Sequence, residues 1–134
     1  LVAAAVHLTS LCWGIISGAY DYQVRRVNLI LPNLPKAFDG ITMAQISDIH
    51  SGSFDNPEKI QYAIDLINEQ NSDIVLFTGD IVNTHATEMH PWIETFKKIH
   101  HPKFGKYSVL GNHDYGDYKV WESSEAKKAP RRAL

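Results

Sequence analysis

Three short polar clusters carry the side chains most able to do chemistry. They are Ser47-Asp48-Ile49-His50, Thr78-Gly79-Asp80-Ile81-Val82-Asn83 and Gly111-Asn112-His113-Asp114. Their carboxylates, imidazoles and amides are metal ligands. A mixed oxygen and nitrogen set suits Mn, Fe or Zn better than Ca or a thiolate-preferring ion. In a strand, residues i and i+2 point the same way, so Asp48 and His50 could grip one ion through an oxygen and a nitrogen. Asp80 has two oxygens to lend to two ions. Asn112 offers a neutral oxygen that limits the negative charge of the site. Gly79 and Gly111 would let the backbone turn sharply and approach closely. Singly, each cluster is ordinary turn or cap chemistry. Three in order, each after an apolar stretch, point to one site.

The elements that must position these clusters are legible as alternating apolar segments. Residues 41–47 (ITMAQIS), 73–78 (DIVLFT) and 106–110 (KYSVL) read as strands, the second apolar enough to be buried. Asn56 and Pro57 open a helix as N-cap and first residue, with Ile60, Ala63, Ile64 and Ile67 on one face. A second helix is expected over 91–101 and a third over 118–128. Val27, Leu29 and Leu31 alternate in residues 23–31, which suggests a further short strand. Trp92, Phe96 and Tyr107 are expected in the core. His85 reads as a solvated loop residue, and His100 and His101 as surface residues near a helix end. Asn83 is given no role. The order β-α-β-α-β-α makes an α/β domain, in which ligands bind beyond the carboxyl ends of the strands.

Composition narrows the class. The 134 residues are 44% hydrophobic and 21% charged, which excludes a disordered or fibrous chain. The net charge of −2 argues against a nucleic-acid partner. The single cysteine, Cys12, excludes an internal disulfide and Cys-rich zinc modules. All charged side chains lie after residue 20. Residues 1–20 are therefore expected to form a transmembrane helix, since 20 helical residues rise about 30 Å, the thickness of a bilayer core. Arg25, Arg26 and Lys36 lean toward the cytoplasmic face for the chain beyond that helix. The expected organisation is a membrane helix over 1–20, a linker with a short strand over 21–40, and a catalytic region over 41–134. The basic end, residues 127–134 (KKAPRRAL), reads as a solvated terminus.

D-x-H, G-D-x-x-N and G-N-H-D, at Asp48–His50, Gly79–Asn83 and Gly111–Asp114, together resemble the calcineurin-like metallophosphoesterase superfamily, and with the preceding apolar helix its membrane-associated bacterial branch. The resemblance covers residues 41–117. It implies a four-layer α/β/β/α sandwich of which this chain is the N-terminal half. It also implies two divalent metal ions, with Asp48 and His50 on the first, Asp80 bridging and Asn112 on the second. His113 would stabilise or protonate the substrate phosphoryl group, and Asp114 would orient His113 through a ring nitrogen. The implied reaction is hydrolysis of a phosphomonoester or phosphodiester by a metal-activated water. A lipid-linked or nucleotide-derived substrate would suit a membrane position. The family also has a later His and a G-H-x-H motif, and residues 115–134 contain no histidine. The chain is accordingly expected to be truncated at both ends. The alternative is a non-catalytic scaffold or inactive fragment with the same fold.

Overall fold

The computed structural model describes residues 2–16 and 18–123. The chain divides into two units, residues 1–30 and residues 31–134.

The first unit is built on one apolar helix, α1 (Val2–Ile16), followed by a 3₁₀ turn over Gly18–Tyr20. Val2–Tyr20 is long and apolar enough to cross a membrane. No side chain of α1 is buried. Its polar residues bond to the helix's own backbone: His7 Nδ1 donates to the Ala3 carbonyl (2.7 Å), Thr9 Oγ1 to Ala5 (2.9 Å) and Ser10 Oγ to Val6 (2.9 Å). The strand expected over residues 23–31 is not formed. Alternation is a signal of burial on one face, and Val27, Leu29 and Leu31 are all exposed with no partner strand.

The second unit is a three-stranded parallel sheet with helical connections, in the α/β class expected from the sequence. Strands β1 (Met43–Ile46), β2 (Ile74–Phe77) and β3 (Lys106–Ser108) lie in that order, with Met43 opposite Ile74 and Val75 opposite Lys106. Helix α2 (Pro57–Glu69) joins β1 to β2. Its cap is the expected one: the Asn56 side chain accepts from the Lys59 N–H at 3.1 Å. Ile60 and Ile64 turn inward and are fully buried. Ile64 meets Val75 and Ile99, with Ala44, Ile46, Ile67, Phe77 and Phe96 around them. Burying such side chains stabilises the fold by about 1.5–3 kcal/mol each. The tie at the start of the sheet is polar. Asp73 Oδ2 accepts from both the N–H and the hydroxyl of Thr42, at 3.0 and 2.9 Å.

The link from β2 to β3 differs from the expected helix over 91–101. A 3₁₀ segment, Ala86–Trp92, runs into one α turn, α3 (Ile93–Phe96). Past Phe96 the hydrogen bonds tighten to three residues back, Lys98 N–H on the Thr95 carbonyl and Ile99 N–H on that of Phe96, and the helix ends there. Trp92 and Ile99 still face the core. Tyr107 does not: it is 60% exposed, and its hydroxyl donates to the Phe104 carbonyl. His100 is half-buried rather than on the surface, with Nε2 on the Ser72 carbonyl at 3.0 Å and its N–H on Asn68 Oδ1 at 2.8 Å. Of the helix expected over 118–128, the described part, residues 118–123, forms no helix and is turn, bend and irregular chain. Gly116, at φ 65°, turns the chain there, and the Trp121 indole N–H closes back on the Gly116 carbonyl. Residues 124–128 lie outside the described chain.

Candidate metal centre

Because the three strands are parallel, their carboxyl ends open on one edge of the sheet, and the three polar clusters meet there. The pairing of β1 with β2 does not stop at the strands. Asp48 donates its N–H to the Gly79 carbonyl (3.1 Å), His50 to Asp80 (2.9 Å) and Ser51 to Ile81 (3.0 Å). Two loops thus run side by side as a continuation of the ladder. They do so in unusual backbone: Asp48, His50 and Asp80 have φ of 53°, 46° and 55°. Left-handed residues other than glycine are uncommon and persist where the surroundings over-determine them. These turns, rather than an extended strand, set where Asp48 and His50 point. The expected i, i+2 strand geometry therefore does not apply.

Gly79 and Gly111 are needed for close approach. A Cβ on Gly79, itself at φ 101°, would run into the Gly111 backbone, and one on Gly111 would run into Asp80. Only hydrogen at both positions lets the loops after β2 and β3 cross at this distance.

His50, Asp80 and His113 each offer one ligand atom, and the three atoms lie within 4.8 Å of one another. The two imidazoles meet edge to face with centroids 4.6 Å apart. His113 Nδ1 lies 2.7 Å from the Asn83 carbonyl, which can only accept. Nδ1 therefore carries the proton, and Nε2 of the neutral ring keeps a free lone pair. Asp80 Oδ1 accepts the His113 N–H at 2.8 Å, while Oδ2 has no partner among the described residues. Two imidazole nitrogens and a carboxylate oxygen gathered in this way could hold a metal ion.

The remaining expected site residues are placed differently. Asp48 is exposed and lies outside the three-atom group, with Oδ2 accepting from the Ser47 hydroxyl at 2.5 Å. Asn112 is exposed and its amide nitrogen donates to the Tyr118 hydroxyl at 2.6 Å. Asp114 does not orient His113 through a ring nitrogen. It is 1% exposed, and its carboxylate accepts four backbone N–H groups. Oδ2 takes those of Asp80 and Gly111, both at 2.8 Å, and Oδ1 those of Ile81 (2.8 Å) and Val82 (3.2 Å). Its role is to clamp the two loops that carry Asp80 and His113.

Three contributors were not legible in the sequence. Asn83 acts on His113 through its carbonyl, which every residue type possesses. Glu88 accepts the N–H groups of Asn83, Thr84 and His85 and so fixes that carbonyl. Its position three residues after His85 is that of a capping box, but the cap is not the usual Ser or Thr. Tyr118 stacks on His113 with centroids 4.5 Å apart, and nothing in its spacing marks it. His85, expected as a solvated loop residue, instead packs edge-on to Trp121 and lies outside the three-atom group.

A family model described as calcineurin-like phosphoesterase matches residues 41–132. A transmembrane protein with metallophosphoesterase domain from Danio rerio is 29% identical over 111 residues, covering 81% of this chain and 25% of that protein. The uncharacterized metallophosphoesterase YkuE of Bacillus subtilis is 38% identical over 87 residues, 63% of this chain and 30% of that protein. The UDP-2,3-diacylglucosamine pyrophosphatase LpxG of Chlamydia trachomatis is 33% identical over 96 residues, 69% of this chain and 29% of that protein. The chain thus spans 25–30% of the length of these three relatives. No solved structure gives a significant match.

Proposed function

The chain belongs to the calcineurin-like phosphoesterase family, and from that premise we propose that it forms the first half of a two-metal phosphoesterase site held at a membrane. The convergence of His50 and Asp80 with His113 within 4.8 Å carries this proposal, with His50 and Asp80 as ligands and His113 beside them facing the substrate rather than an ion. Asp48 and His50 would hold one divalent ion and Asn112 a second, with Asp80 available to both. Mn, Fe or Zn suits this donor set. When bound, the ions supply Lewis acidity and lower the pKa of a coordinated water, which makes a nucleophile available near neutral pH.

The side chains of this chain do the rest. His113, with Nδ1–H fixed on the Asn83 carbonyl, presents Nε2 to the phosphoryl group. Protonated there, it donates to a phosphoryl or leaving-group oxygen. Asp80 Oδ1 accepts the His113 N–H, which ties the His113 backbone to a side chain that would hold metal. Asp114 holds the backbone of residues 80–82 against Gly111, so ligand and acid keep one geometry.

The substrate is a phosphoester or pyrophosphate linkage, and a lipid-linked one fits the proposed membrane position. The relative LpxG is named for a pyrophosphatase acting on a diacylglucosamine nucleotide. α1 supports the membrane position, because its three polar side chains are already bonded to its own backbone. The deciding experiment replaces Asp80 with Ala in the protein that carries this segment. Mn²⁺ binding and hydrolysis of bis(p-nitrophenyl) phosphate should disappear together. Full activity in that variant would sink the two-metal assignment.

A further inference from the structure

We propose that Tyr118 is a positioning residue of the metal centre, setting Asn112 through its hydroxyl and His113 through its ring. This inference rests on the metal-centre reading above and extends it to a side chain outside the three motifs. The observation is a single aromatic residue that touches both functional side chains of the third motif. Asn112 Nδ2 donates to the Tyr118 hydroxyl at 2.6 Å. The Tyr118 ring stacks on His113 at 4.5 Å with 26° between the planes.

An asparagine amide has two ends of opposite sense, and only the oxygen can ligate a cation. An amide free to flip would present its N–H groups to the ion in part of its population. In the observed orientation the phenol oxygen accepts from Nδ2 and holds the amide in place, which leaves Oδ1 without that contact and free to ligate an ion. The ring acts on the neighbouring residue. His113 meets His50 edge to face, stacks on Tyr118 and has Nδ1 on the Asn83 carbonyl, so three contacts fix the direction of Nε2.

Tyr118 is 66% exposed, so burial does not explain its placement. The turn that carries it is closed by other means. Gly116 has φ 65°, and a Cβ there would strike Trp121. The Trp121 indole donates to the Gly116 carbonyl at 2.6 Å, Lys119 Nζ sits 5.1 Å from the Trp121 ring centroid, and His85 meets the same indole edge-on. Residues 116–121 form a small latch whose outward tyrosine is aimed back at the third motif.

Two substitutions separate the two contacts, tested in the protein that carries this segment. Tyr118→Phe keeps the ring and removes the hydroxyl, and Tyr118→Ala removes both. Titration calorimetry with Mn²⁺ alone should show about tenfold weaker binding in Tyr118→Phe, the lower end for loss of a residue that orients a ligand. At saturating Mn²⁺, that variant should recover its kcat on bis(p-nitrophenyl) phosphate, because the stack on His113 remains. Tyr118→Ala should lose affinity and keep a depressed kcat under the same saturation. Mn²⁺ affinity in Tyr118→Phe equal to that of the unaltered protein overturns the inference and leaves the metal centre standing. Failure of the unaltered protein to bind Mn²⁺ overturns both.

Discussion

At the scale of single residues, the centre depends as much on backbone groups as on the side chains that would touch a metal. Asp114 is the clearest case. Its motif suggests a partner for His113, yet both oxygens are committed to four backbone N–H groups in a buried position. Asparagine there would replace one acceptor with a donor facing N–H groups. Leaving a buried donor unsatisfied costs about 1–3 kcal/mol. Asp114→Asn should therefore lower stability by about 2 kcal/mol in urea denaturation, and weaken Mn²⁺ binding because Asp80 and Gly111 lose their common anchor. A stability within experimental error of the unaltered protein would show that the clamp is not needed. The left-handed backbone of Asp48, His50 and Asp80 belongs to the same account. Strain at these three positions persists because the ladder to residues 79–81 and the Asp114 clamp hold it.

At the scale of elements, the parallel sheet is what brings three distant clusters to one edge. Its opening end is pinned by Asp73, whose carboxyl is held below the usual range by hydrogen bonds from the Thr42 backbone N–H and then from its hydroxyl. A carboxyl with a folded-state pKa below its ordinary 3.8 stabilises the fold above that pH, and the contribution fades as pH falls through the lower folded value. Asp73→Asn should thus differ most from the unaltered protein near neutral pH. The gap should narrow below about 3.8 in paired denaturation curves, and a gap independent of pH would refute this tie. Because Asp73 is only partly buried and remains open to solvent screening, the effect is small. Among the elements that departed from expectation, residues 23–31 have the alternation of a strand without a partner, and the helix expected over 91–101 closes into turns after Phe96.

At the scale of the whole molecule, two units with different surfaces follow one another. Residues 1–30 contain an apolar helix with no buried side chain, and residues 31–134 contain the α/β sheet, part of a metallophosphoesterase domain. If α1 anchors the protein, membranes washed with alkaline carbonate should retain it, and peptides covering residues 2–20 should be recovered from that fraction. Release into the soluble fraction, or a mature protein without those residues, would contradict the anchor. The sequence by itself determined the class of the fold, the N-cap of α2, its buried face and the three clusters at strand ends. These are set by local chemistry: a period of 3.6 or 2, an Asn-Pro pair, polar groups after apolar runs. It did not determine that Asp114 clamps backbone, that the Asn83 carbonyl fixes the His113 tautomer, or that Tyr118 lies over the site. Those contacts join atoms three to thirty-four residues apart, and several use groups that every residue type carries. Only the crossing of the loops at the glycine pair, once the strands had paired, decided them.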